Sequence, residues 1–104
     1  MKEIDIYDRV FKFACRILSM DRALARSRSV NRNAMNQLVS SSSSIGANLE
    51  EGRAAQSKAD FHAKLRISLK EARESHYWLR LIAALRWLPT CMATLGKAGA
   101  SGWN

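Results

Sequence analysis

The sequence predicts an all-α protein, a bundle of antiparallel helices organised around one long helix in its second half. Three observations predict it. Apolar residues recur at steps of four and three through segments 4–20, 33–51 and 57–87, the spacing of a helix with one buried face. The connections between them lose that period: residues 21–32 turn basic, and 52–56 form a short polar break. The third segment becomes apolar over most of its circumference toward its end, the pattern of a helix with neighbours on more than one side. In a single domain of 104 residues, that calls for a further partner, namely another subunit.

In the first segment, Tyr7, Phe11, Ala14 and Leu18 make an apolar stripe, widened by Val10 and Ile17. Arg9, Lys12 and Arg16 line the solvent side, and Asp5 and Asp8 suit the positive end of the helix dipole. Residues 21–32, DRALARSRSVNR, bring Arg22, Arg26, Arg28 and Arg32 and read as a mobile, solvated connection.

The second segment contains the run Ser40 to Ser44, which argues against helix because serine competes for backbone groups. Yet Met35, Leu38, Ser42, Ile45 and Leu49 keep helical spacing through it, beside a polar stripe of Gln37, Ser41, Ser44, Asn48 and Glu51. A helix is therefore expected, with Ser42, Gly46 and Ala47 as a small-residue contact face and Gly52 as its C-terminal stop.

The third segment opens on Ser57 and Asp60, a variant of the capping box. Its main stripe is Phe61, Leu65, Leu69, Ala72, His76, Leu79 and Ala83, with His76 expected to be packed and hydrogen-bonded. A second stripe holds Ile67, Glu71, Glu74, Trp78, Leu81 and Leu85, and its apolar end, Trp78, Leu81 and Leu85, is the expected oligomer interface. Opposite lie His62, Arg66, Lys70, Arg73, Tyr77 and Arg80. Leu88-Pro89 should break the helix, leaving at most two turns over 90–98 and a weakly ordered tail from 89 to 104.

Net charge is +8, from 17 Lys plus Arg against 9 Asp plus Glu, a balance that favours polyanionic partners such as RNA or DNA. Cys15 and Cys91 sit in apolar contexts and read as reduced core residues. No apolar run approaches the roughly 20 residues that span a bilayer, and the N-terminus lacks a secretory signal, so a cytoplasmic protein with no membrane role is expected.

No catalytic, metal or cofactor constellation stands out, and the chain is not expected to be an enzyme. Glu71 and Glu74 lie one turn apart, but the Glu-x-x-His pairs of a di-metal bundle are missing; with Glu50 and Glu51 they are expected to pair with arginines. The serines lack a paired base, and Gly46 and Gly52 form no phosphate-binding loop. The one feature with a functional reading is the stripe Arg66, Lys70, Arg73 and Arg80, whose four cations on one face resemble a track for backbone phosphates, against the plainer reading of a solvated helix face.

The patterns QLxxSxxSIGANLEE, matched from Gln37 to Glu51, and QSxxDFxxKLxISxKEARExxYWLRL, matched from Gln56 to Leu81, cover nearly half the chain. In them the sequence resembles the bacterial four-helix-bundle family first noticed as reading frames inside intervening sequences of large-subunit ribosomal RNA. FKFACRIL in the first segment fits more loosely. The resemblance implies an antiparallel up-and-down four-helix bundle assembled into a homopentamer with a central channel. It also implies kinship with the accessory variability determinant of diversity-generating retroelements, a basic pentamer that binds a reverse transcriptase and nucleic acid. Ser40 stands where relatives carry arginine, and Gly52 where alanine is common. Relatives continue past the Leu-Pro break into a long fourth helix, so here a short or truncated fourth helix is expected.

Two functions follow as expectations. One is a nucleic-acid-binding accessory protein, serving a reverse transcriptase. The other is a structural or protein-interaction assembly module with no nucleic-acid role.

Overall fold

The computed structural model describes residues 4–98, with side chains through Leu85. The described chain is all-helical: α1 (Ile6–Ala23), α2 (Arg32–Arg53) and α3 (Lys58–Ala98), with no strand among the described residues. The expected break at Leu88-Pro89 does not occur. α3 passes through it to Ala98, so the stretch expected as a separate stub continues the third helix. Proline inside a helix forfeits one backbone hydrogen bond and crowds the preceding turn, and 41 residues supply many other such bonds. A fourth helix is not seen among the described residues, and residues 99–104 of the expected tail lie outside them.

α1 starts at Ile6, two residues later than the expected 4, because Asp5, expected only to suit the helix dipole, is its N-cap. Asp5 has extended backbone angles, and its carboxylate accepts from the amides of Tyr7 (3.0 Å) and Asp8 (3.3 Å). Lys12 pairs with Asp8 one turn away at 2.8 Å. That hydrogen bond and the Asp8 charge hold the exposed Lys12 ammonium above its ordinary pKa. The buried stripe is rotated from the expected one. Val10, Phe13, Ile17 and Met20 turn inward, while Phe11 is 66% exposed and Leu18 is exposed too. Cys15, expected in the core, is exposed on this helix, and the Cys91 side chain lies outside the described residues.

The connection to α2 is more ordered than its composition implies. Asn31 caps α2 by accepting from the Ala34 amide at 2.9 Å, and Arg32 pairs with Asp21 across the turn. Val30, just before the cap, is buried in one cluster with Met35, four residues inside the helix, the arrangement of a hydrophobic staple.

α2 lies between the other two helices. It runs antiparallel to α1: Val10 meets Gly46, and Tyr7 meets Arg53 at the far end. It also runs antiparallel to α3, since Gly52 meets Lys64, Ile45 meets Ser68, and Ser41 meets Ser75. The core gathers Ile17, Val30, Ala34, Met35, Leu38 and Ile82, and Met35 and Leu38 are fully buried. Gly52 is not the helix stop. It is buried inside α2, which ends one residue later, and an added Cβ there would lie 3.2 Å from the Lys64 Cβ. Its service is close approach, as expected where one backbone must come near another helix.

Serines dominate the α2–α3 seam. Ser41, Ser42, Ser68 and Ser75 are all buried. Ser41, a member of the expected polar stripe, is buried, and its hydroxyl bonds Ser75 Oγ at 2.8 Å. Ser68 donates to the Ile45 carbonyl at 2.9 Å, and Ser42 to Val39 at 3.2 Å. Among the described residues no buried side-chain polar atom lacks a partner, so this seam carries no unpaired-group penalty.

Candidate nucleic-acid interface

The inward face of α3 runs through Ser68, Ser75 and Ile82. That assignment fixes where every other α3 residue points. At 100° per residue, Arg66, Lys70, Arg73 and Arg80 fall nearly opposite the seam, and all four are exposed. From Arg66 to Arg80 they extend about 21 Å along the axis. His62 and Tyr77 lie on the same outer face and are also exposed.

None of the four stripe cations has a carboxylate within ion-pair distance among the described residues. The carboxylates pair with other cations: Glu51 with Lys64 at 2.6 Å, and Glu50 with Arg53 at 3.7 Å. Glu74 accepts from Trp78 Nε1 at 3.2 Å rather than from an arginine. Arg53 itself sits 3.5 Å over the Tyr7 ring, tying the end of α2 to the start of α1. The stripe is thus a band of positive charge without ion-pair partners among the described residues, on one helix. Tyr77, edge-on to Trp78 at 5.4 Å, adds an aromatic ring to it.

Trp78, Leu81 and Leu85 are each half-buried. Trp78 packs against the core cluster. Large apolar side chains that do face solvent include Ile4 ahead of α1, Ile6, Phe11 and Leu18 on α1, and Leu65, Ile67 and Leu69 in the first half of α3, with Leu69 55% exposed. His76, expected to be packed, is exposed at the rim of a groove between α1 and α3. The groove encloses about 330 Å³ and is lined by Ile6, Val10 and Phe13 on one side, Ala72 and Leu79 on the other, and Ile45 below. Sequence reasoning missed it because the main stripe of α3 was assigned to the core rather than to this flank.

Among the described residues no group of three or more metal-ligating side chains comes together, and no helix is long and apolar enough to cross a membrane.

Three helices packed through small residues, with a bare cationic stripe on the longest, define the class: a small basic α-helical protein. The chain belongs to the 23S rRNA-intervening sequence protein family, whose model matches residues 2–95. It is also similar to a solved protein of unknown function from the S23 ribosomal protein family of Bacteroides thetaiotaomicron. The two are 38% identical with a TM-score of 0.69, over 83% of this chain and 74% of that one. No curated protein matches.

Proposed function

We propose that the protein is a non-enzymatic, basic helical-bundle oligomer that binds nucleic acid as an accessory protein. The observation that carries this reading is the stripe Arg66, Lys70, Arg73 and Arg80, exposed together and without ion-pair partners among the described residues. Polyanions are the natural ligands of such a face, because each phosphate contact releases condensed counterions. A ring of copies would repeat the stripe into a band. The resemblance suggests a homopentamer of four-helix protomers, and a reverse transcriptase of a diversity-generating retroelement as the protein partner; a cytoplasmic location is the reading of an N-terminus without a secretory signal pattern. Binding to single-stranded and duplex RNA and DNA across a salt series tests the reading; no detectable binding at low salt removes it.

One observation favours a second reading, an assembly module whose charge is incidental. Ile6, Phe11, Leu65 and Leu69 leave apolar surface open on the protomer, which suits a protein contact more directly than a phosphate. Light scattering at micromolar concentration measures the assembly, and a clean monomer mass refutes the oligomer in both readings.

A further inference from the structure

The groove between α1 and α3 is mainly apolar, the far end of α3 has an amphipathic sequence, and the two lie apart along the axis of α3 within one copy. α3 reaches the level of α2's first turn near Ile82, which clusters with Val30 and Ala34. Beyond Leu85 the helix runs on to Ala98, a further 20 Å or about that at 1.5 Å per residue, along an axis leading away from the groove. We propose that the groove of one copy receives residues 88–98 of α3 from a second copy.

Three features support this occupant. The groove wall is mainly apolar on both helices, with Arg9 of α1 and Ser75 and His76 of α3 its polar members, and Leu69 and Leu65 extend the α3 side of it at helical spacing. The sequence of the arriving segment, LPTCMATLGKA, is amphipathic in helical register. Leu88, Cys91, Met92 and Leu95 fall on one side, with Thr90, Thr94 and Lys97 on the other. Length is sufficient as well: the groove spans about 10 Å, from Ile6 to Phe13 along α1 and from Ala72 to Leu79 along α3, and the segment, about 16 Å long, covers it with its remaining turn reaching toward Leu69. A contact in which one copy gives its helix end and the next gives its groove is heterologous, so it builds a closed ring when the rotation closes. The inference rests on the homo-oligomer reading above and specifies what joins the copies.

Cys91 lies in the arriving segment and makes the contact measurable. In full-length protein carrying Cys15→Ser, a second cysteine is placed at either end of the groove, Ile6→Cys or His76→Cys; both positions are exposed, so helical content should be unchanged. Mild oxidation is expected to give chains linked to one another on a non-reducing gel, well above the level of Cys15→Ser alone. A link closed within a single chain overturns the proposal, because the segment then occupies its own groove. No linkage above the control at both positions overturns it as well. Light scattering of the same Cys15→Ser protein separates the two failures. An oligomer without the interchain link leaves the assembly reading standing and removes only the exchanged helix; a monomer removes both.

Discussion

Ser41 of α2 and Ser75 of α3 share a 2.8 Å hydrogen bond at the centre of the bundle, and both are almost fully buried. Ser41 also lies 3.3 Å from the Leu38 carbonyl, so its own proton has a backbone acceptor and Ser75 supplies the shared one. Two small side chains at this level let the helices come close, and their hydroxyls bond to each other. The seam is therefore a steric requirement met by polar residues.

Replacing Ser75 with Ala leaves Ser41 with its backbone acceptor, so the loss should be about 0.5–1.5 kcal/mol, the net worth of one hydrogen bond. Replacing it with Leu inserts a branched side chain into a filled seam and should cost about 1–3 kcal/mol or more. Urea unfolding of both variants gives the ranking. Leu tolerated better than Ala would mean that the helices are not closely packed here.

The rotation of the apolar stripes explains how much of the fold was legible. The three helical segments follow from spacing alone, and the Ser57 cap of α3, which accepts from the Asp60 amide, from residue type; the caps at Asp5 and Asn31 did not. Which face of α3 is buried did not follow. Pattern reading selects the stripe with large apolar residues such as Leu65 and Leu69, whereas the real seam runs through Ser68 and Ser75. Serine is chosen there for size, and its hydroxyl is neutralised by carbonyls such as Ile45's, which no periodicity of hydrophobicity reveals. Pro89 misled for a related reason, since its local cost is set against the rest of a long helix. The cationic stripe was legible because exposure on an outer face is all that it needs.

The corrected core predicts an order of losses. Leu38→Ala, at a fully buried position, should cost about 2–5 kcal/mol. Leu79→Ala, on the groove wall and half-buried, should cost less than Leu38→Ala, and Leu69→Ala should change stability by well under about 1 kcal/mol in the isolated protomer. Thermal denaturation at low protein concentration reads the series. A loss at Leu69 equal to that at Leu38 would show that the exposed flank is covered in solution.

Gly52 offers a test of close approach. Alanine gains about 0.8–1 kcal/mol of helix propensity over glycine, but its Cβ would sit 3.2 Å from the Lys64 Cβ and push the first turns of α3 by a few tenths of an ångström. The two effects should nearly cancel in Gly52→Ala. Valine adds two methyl groups at the same place and loses the offset, so Gly52→Val should destabilise by about 1–3 kcal/mol. Equal melting temperatures for the Val variant and the parent would place α3 farther from α2 than the serine hydrogen bonds require.

The basic stripe makes the sharpest prediction. If Arg66, Lys70, Arg73 and Arg80 each contact one phosphate, log K against log salt should fall with a slope of about −3 per protomer on single strands and somewhat more steeply on duplex, from roughly −0.7 and −0.9 per contact. Changing all four to Gln should flatten the slope by that amount and weaken binding across sequences alike. The fold should survive, because all four side chains are exposed and none holds an ion pair among the described residues. Circular dichroism checks the last point. Arg22, in the last turn of α1, and Arg26 and Arg28, in the turn that follows, are also exposed and serve as the control: their Gln variants remove three charges away from the stripe. If the turn variant flattens the slope and the stripe variant does not, the phosphates run over the turn and the outer face of α3 is only solvated.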